Sequence, residues 1–206
     1  MSYSNYNPSD NQSQQLSLFE SASVYEVKKK PLQADFVMSE SFFEQWKKRI
    51  LNYQLSLRNN GNNQGNLTEE LSFNFNSNND DLSALESLDP FTLKTHTDQF
   101  HSLPEYGLSE SCLYFILDTH FNLLLYVGET KLSPYQRWIN HDCKSYIQSY
   151  IELHRKYKLP VLIRSAFCWG VPTSRKVRQY LEKQLILKWR SPFNKESWQY
   201  WGQPFK

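Results

Sequence analysis

Residues 112–128, with the sequence CLYFILDTHFNLLLYVG, determine the fold predicted for this chain. Two runs of apolar and β-prone residues, 112–117 and 123–127, flank a short polar stretch at 118–122. We interpret each run as a strand, with the second closed by Gly128. Because so short a connection joins neighbouring strands directly, the stretch predicts an antiparallel hairpin.

Downstream of the hairpin, the pattern predicts a helix, a third strand and a last helix. Ser133-Pro134 is typical of a helix start, and apolar residues recur at helical spacing as far as Tyr157. Residues 160–168 are predicted to form the third strand, and 173–189 a helix capped by Thr173. The predicted core side of that helix comprises Val177, Tyr180, Leu181, Leu185 and Trp189. The order β-β-α-β-α predicts an α+β domain, a small antiparallel sheet flanked by helices.

The N-terminal half has a different composition. Residues 1–33 are rich in Ser, Asn and Gln, which predicts a flexible tail. An amphipathic helix is predicted within 34–58, regular over 39–57, and residues 59–81 form an Asn-rich stretch that predicts a disordered linker. Residues 82–109 are predicted to be a helical lead-in to the main domain at 110–206. The predicted apolar face of the first helix comprises Phe42, Phe43, Trp46, Ile50 and Tyr53.

The overall composition excludes several protein classes. The chain has 206 residues, of which 39% are hydrophobic and 21% charged, enough apolar material for a core. No apolar run approaches the 18 residues of a membrane span, and the polar N-terminus lacks a signal-peptide core. Cys112, Cys143 and Cys168 are too widely spaced for a zinc finger or a disulfide framework. We therefore expect a cytoplasmic protein with no membrane partner.

The charge is distributed unevenly along the chain. Residues 1–100 hold 8 basic and 13 acidic residues, a formal charge of −5, whereas residues 101–206 hold 15 and 8, a charge of +7. A basic half rich in aromatic residues is typical of a protein that binds a phosphate backbone, although an ordinary solvated basic face gives the same pattern. The residues predicted to contact nucleic acid are Lys131, Arg155, Lys156, Lys158, Arg175, Lys176 and Arg178.

The polar residues of the C-terminal half suit phosphodiester cleavage. Tyr114 and Tyr126 lie in the two hairpin strands, where pairing can place both hydroxyls on one face. Arg137 and His141 are four residues apart and share a helix face. A fixed guanidinium stabilises the charge that grows on the phosphate, and one carboxylate can hold a hydrated Mg²⁺ ion. A tyrosine hydroxyl can accept the proton of attacking water if a neighbouring charge lowers its pKa from about 10.

Taken in order, these residues resemble the GIY-YIG nuclease family. Cys112-Leu113-Tyr114 stands where the family has a Gly-Ile-Tyr-like triplet, and Tyr126-Val127-Gly128 stands for Tyr-Ile-Gly. Arg137 with His141 matches the first helix of the family. Glu182 in the last helix and Asn194 in Pro192-Phe193-Asn194 match its later motifs. The resemblance covers residues 110–196, and it departs from the family at Cys112, which replaces the first glycine.

The resemblance implies an endonuclease that uses a single divalent ion, Mg²⁺ or Mn²⁺, and acts on nucleic acid, with DNA favoured over RNA. It also implies a role for each residue. Tyr114 would be the general base or its relay, Tyr126 would position water or phosphate, and Arg137 would stabilise the transition state. Glu182 would be the metal ligand and Asn194 would brace the site. Gly128 would allow a tight backbone turn beside the substrate, and His141 would be a helper or a phosphate contact.

Two other interpretations of the sequence remain open. The same fold can serve as a non-catalytic binder of nucleic acid or protein, and Cys112 bears on this because a bulkier residue there could hinder approach of the nucleic acid. An unrelated small α+β domain is the second alternative. That alternative predicts that Tyr114, Tyr126, Arg137 and Glu182 do not converge.

Overall fold

The computed structural model of the protein describes residues 38–60, 79–97, 111–132 and 143–205. The predicted tail at 1–33, residues 61–78 of the predicted linker and the predicted helix start at Ser133-Pro134 lie outside the described residues. Within the described part of the chain, no helix is long and apolar enough to cross a membrane.

A four-stranded antiparallel sheet forms the centre of the fold, which confirms the predicted α+β class. Its strands are β1 (Thr95–Thr97), β2 (Cys112–Asp118), β3 (Leu123–Thr130) and β4 (Ile163–Trp169), in the spatial order β1-β4-β2-β3. The sequence did not predict β1, because three polar residues carry no strand pattern and their pairing with β4 is a long-range contact.

Five helices accompany the sheet in the described residues. They are α1 (Glu40–Asn60), α2 (Asn79–Ser87), α3 (Cys143–Lys156), α4 (Arg175–Trp189) and α5 (Trp198–Trp201). Single 3₁₀ turns, Pro90–Thr92 and Lys195–Ser197, precede β1 and α5. The predicted first helix is present. In its described residues, 82–97, the predicted helical lead-in contains most of α2, a 3₁₀ turn and the unpredicted strand β1, and α2 begins at Asn79, inside the stretch predicted to be a disordered linker.

The sheet separates two apolar layers, because successive strand residues point to opposite faces. One layer joins α2 and α4 to the sheet and includes Leu85, Leu113, Phe115, Leu181, Leu185 and Trp189. The other joins α1 and α3 to the opposite face and includes Phe43, Trp46, Ile50, Ile116, Ile147 and Phe193. α1 therefore packs into the core of the domain.

Three predicted details of the helices are wrong. Phe42 is 53% exposed whereas Phe43 is fully buried, because adjacent residues of a helix point about 100° apart and only one can face the core. Tyr180 is 46% exposed beside buried Leu181 for the same reason. The N-cap of α4 is Ser174 and not Thr173, and its side chain makes no capping hydrogen bond.

Candidate active site

The two tyrosines singled out from the sequence lie together on one face of the sheet. Tyr114 pairs with Gly128 across the β2–β3 ladder and Tyr126 pairs with Ile116, so the tyrosines are diagonal neighbours. Their ring centroids are 5.9 Å apart. Tyr114 is buried and Tyr126 is half-buried. The predicted convergence of these two side chains is therefore present.

Gly128 has a different role from the predicted one. It lies inside β3, which continues to Thr130, and so it does not end the strand in a tight turn. A Cβ atom on Gly128 would lie 2.6 Å from Tyr114 Cε1, and closer still to Cζ and the hydroxyl oxygen. The ring of Tyr114 therefore occupies the space that a side chain at residue 128 would fill.

A β-bulge brings Tyr126 to this face. The register of the β2–β3 pair shifts between Ile116 and Leu117, whose partners are Tyr126 and Leu124. Leu125 is thus an extra residue on β3 with no cross-strand partner in the ladder. Because side chains alternate along a strand, one extra residue reverses the faces of all residues beyond it. The bulge therefore decides which way Tyr126 points.

Asn194 binds β3 from outside the sheet, immediately next to Tyr126. Its Nδ2 donates to the Val127 carbonyl oxygen over 2.9 Å, and its Oδ1 accepts from the Val127 N–H over 3.0 Å. The Ser191 hydroxyl donates to the same Oδ1 over 2.7 Å. Asn194 thus replaces a neighbouring strand at this point of the sheet edge, an arrangement that suits the bracing role predicted for it.

Glu182 lies on the face of α4 that packs against β3. Near the start of the helix, Arg178 binds Glu129 of β3, and after its end the N–H of Phe193 donates to the Leu125 carbonyl oxygen. α4 therefore runs antiparallel to β3. Because Glu182 follows Arg178 by one helical turn on the same face, it lies along β3 between the levels of Glu129 and Leu125. It is half-buried there.

Arg178 is a structural residue, which corrects its predicted assignment as a phosphate contact. Its Nε donates to Glu129 Oε2 over 2.7 Å, and its Nη1 donates to the carbonyl oxygens of Pro172 and Thr173. Only 3% of its side chain is exposed. The guanidinium therefore links α4, the preceding loop and β3, and presents no surface to a nucleic acid.

The other basic residues predicted to contact nucleic acid are exposed and fall into two groups. Lys131 follows β3, and Arg175 with Lys176 begins α4, at the end of the sheet where β2 starts. Arg155, Lys156 and Lys158 lie near the opposite end, where the segment after α3 bonds to residues 118–119. Six residue steps of β2, about 20 Å, separate the two ends. Only the first group lies at the end of the sheet that carries Tyr114.

Cys112, the departure from the motif, is fully buried beside Tyr114 and Phe167. Burial raises the pKa of its thiol well above the usual range, with the neighbouring Cys168 adding to the effect. Burial likewise raises the pKa of Cys168 to about 12 and that of Cys143 well above its usual value. All three thiols are therefore neutral and unreactive at physiological pH.

Arg137 and His141 lie outside the described residues, so their predicted place beside the tyrosines stays a prediction. One residue next to the site was missed from the sequence: Gln54 of α1, which binds β3 at Leu124. A signal for it was present. Gln54 follows Ile50 by four residues and thus occupies a core position of an amphipathic helix, where a polar side chain needs a buried partner.

Trp198 and Trp201, near the C-terminus, pack within the domain. Trp201 Nε1 donates to the Arg190 carbonyl oxygen, and the ring of Trp201 meets Tyr53 edge-on. The ring of Trp198 packs in the same manner on Tyr146. Both tryptophans therefore hold the C-terminal segment on the domain.

Comparison with known proteins supports this account of the C-terminal half. Residues 110–197 match the family model described as the GIY-YIG catalytic domain. No curated protein and no solved structure matches the chain at a significant level. The matched residues include the tyrosine pair, Gly128, Glu182 and Asn194. Residues 110–197 of this chain are therefore similar to the GIY-YIG catalytic domain, a type of domain that implies a nuclease.

Proposed function

We propose that this protein is a divalent-metal-dependent endonuclease that hydrolyses phosphodiester bonds in DNA. The main support is that Tyr114 and Tyr126 share one face of a hairpin inside a GIY-YIG domain. The β-bulge, Gly128 and Asn194 all serve to hold this pair in place. A site held so closely is what proton transfer at a fixed distance requires.

Each residue of the site has a proposed part in the reaction. The Tyr114 hydroxyl accepts or relays the proton of the attacking water, and Tyr126 orients that water or the phosphate. Arg137 offsets the negative charge that develops on the phosphate, and His141 assists as a phosphate contact. Asn194 keeps the Tyr126 segment of β3 in position.

The available donor atoms suit a hard cation. In the described residues, no group of three or more His, Cys, Asp and Glu side chains could hold a metal ion, and Glu129 is engaged by Arg178. Glu182 is the carboxylate we propose as the ligand, with water completing the coordination as Mg²⁺ prefers. When bound, the ion would polarise the phosphate and stabilise the leaving oxygen.

Nicking of supercoiled plasmid tests the proposal. We expect cleavage with Mg²⁺ or Mn²⁺ that stops with EDTA. Glu182→Gln should reduce the rate more than about 100-fold, because even residues that only support metal ligands cost 10- to 100-fold when mutated. Glu196→Gln, at an exposed carboxylate outside the proposed site, is the matched control and should cut normally.

Two further results separate the alternatives. End-labelled DNA and RNA of the same sequence test the preference for DNA, and equal cleavage of both would contradict it. Tight binding of nucleic acid without cleavage, under every metal condition, would favour the non-catalytic binder. In that case Cys112→Gly, which restores the glycine of the motif, would show whether Cys112 blocks the reaction.

A further inference from the structure

We propose that Gln54, on α1 and outside the matched segment 110–197, is a positioning residue for the proposed active site. It fixes the β-bulge at Leu125 and so keeps Tyr126 on the same face as Tyr114. The catalytic part of this inference rests on the proposed function, whereas its structural part does not.

Gln54 forms three hydrogen bonds in a buried place. Its Oε1 accepts from the Leu124 N–H over 2.8 Å, and its Nε2 donates to the Leu124 carbonyl oxygen over 3.0 Å. The same Nε2 donates to the Trp189 carbonyl oxygen over 3.1 Å. The side chain is 1% exposed. One amide thus satisfies both backbone groups of a residue on the sheet edge and also holds the end of α4.

The direction of these bonds depends on the bulge. Along a regular strand, residues an odd number of positions apart direct their N–H and C=O groups to opposite sides. Leu124 and Val127 are three positions apart, yet both direct these groups away from β2, to Gln54 and Asn194 respectively. The extra residue Leu125 makes this possible. The two amides therefore fix the register on either side of the bulge.

The third attachment of this edge is the bond from the Phe193 N–H to the Leu125 carbonyl oxygen, over 2.9 Å. Phe193 and Asn194 belong to the matched segment, whereas Gln54 comes from α1. Without Gln54, Leu124 would be free to turn its backbone groups towards β2. The bulge could then move or disappear, and a one-residue shift would turn Tyr126 to the opposite face.

The first test measures geometry independently of activity. In the full chain, the aromatic protons of Tyr114 and Tyr126 should give a nuclear Overhauser effect, since the rings lie 5.9 Å apart. Gln54→Met keeps the volume and removes all three hydrogen bonds. We expect the signal to disappear and the Leu124 amide to exchange at least about 100-fold faster. Gln45→Met, at an exposed glutamine of α1, should leave both unchanged. A retained signal in Gln54→Met would overturn the inference.

The second test is kinetic. In Gln54→Met, kcat of metal-dependent cleavage should fall about 10- to 100-fold with KM nearly unchanged, because misplacing a reacting group by about 1 Å can cost 100-fold. A lower unfolding temperature with normal kcat would mean that Gln54 only stabilises the fold. If Gln54→Met does not fold, Gln54→Glu takes its place: it retains the acceptor for the Leu124 N–H but loses the two bonds donated by Nε2. The same nuclear Overhauser effect should then disappear, and its retention would overturn the inference. If the wild-type protein does not cleave, the proposed function fails while the first test still decides the geometry.

Discussion

The absence of a side chain at Gly128 leaves room for the Tyr114 ring beside β3. The ring fills the space beside residue 128, so that the glycine and the tyrosine form a matched pair across the ladder. Asn194 acts on the neighbouring residue, where it binds both backbone groups of Val127. At the residue scale, the site therefore depends on two local features, the absence of a side chain at Gly128 and the side-chain amide of Asn194.

We expect Gly128→Ala to displace the Tyr114 ring, since the added Cβ would overlap it. Overpacking of this kind costs about 1–3 kcal/mol in unfolding free energy, and cleavage should fall with it. A double-mutant cycle with Tyr114→Ala, followed by chemical denaturation, tests the cause. The two losses should add to more than the loss in the double variant. Simple additivity would show that the alanine acts elsewhere.

At the scale of elements, a buried polar cluster joins α1 to α3. The Nζ of Lys47 lies 3.0 Å from Nε2 of His154, and His154 Nδ1 lies 2.8 Å from the Tyr150 carbonyl oxygen. The Tyr150 hydroxyl donates to Asp118 over 2.8 Å. With Nδ1 donating to the carbonyl, Nε2 accepts from the lysine. The arrangement therefore requires a neutral imidazole.

Because this buried cluster requires a neutral His154, we expect the folded protein to lose stability in acid. Burial lowers the pKa of His154 below its usual 6.5, and Lys47 and His120 lower it further, although the Tyr150 carbonyl and Asp118 oppose the shift. The unfolded chain therefore binds a proton at His154 as the pH falls through 6.5, while the folded protein does not. The stability that this group contributes is fully present above that pH and decreases below it.

Thermal unfolding between pH 7.5 and 5.5 measures the effect. The unfolding temperature of the wild-type protein should fall with the pH, and that of His154→Gln should fall less steeply. His120→Gln, at an exposed histidine on the β2–β3 turn, removes only the smallest of the causes that shift the pKa of His154 and should stay close to the wild type. Parallel curves for all three proteins would show that His154 does not titrate in this range.

At the scale of the whole molecule, the folded domain extends beyond residues 110–197, the segment that matches the family model. α1 contributes Phe43, Trp46 and Ile50 to the layer that covers one face of the sheet, and Gln54 to the edge of β3. β1, which also precedes the matched segment, adds the fourth strand. These N-terminal elements are therefore part of the folding unit.

Deletion variants test how much of the N-terminal half the domain needs in order to fold. Removing residues 1–35, which lie outside the described residues, should leave the unfolding temperature nearly unchanged. Removing residues 1–60 should abolish cooperative unfolding in calorimetry. Each of the three buried apolar side chains of α1 contributes about 1.5–3 kcal/mol, against a net stability of about 5–15 kcal/mol for a typical domain. A cooperative transition in the shorter variant would show that α1 is dispensable.

The sequence by itself determined the features that depend on neighbours along the chain. The hairpin, β4, α4 and the first helix all follow from local apolar periodicity and turn residues, and the same pattern placed Tyr114, Tyr126, Glu182 and Asn194 on their elements. The bulge could not be predicted, because it moves a side chain to the other face without altering the apolar run in which it lies.

Only the tertiary structure decided which side chains meet. Gln54 binds a residue 70 positions away, and Arg178 binds one 49 positions away. Such bonds form because buried polar groups need partners, whichever residues the fold brings near. For this reason Arg178, one of several similar basic residues in the sequence, proved to be structural, and a glutamine of the N-terminal helix proved to lie against the strand that carries Tyr126.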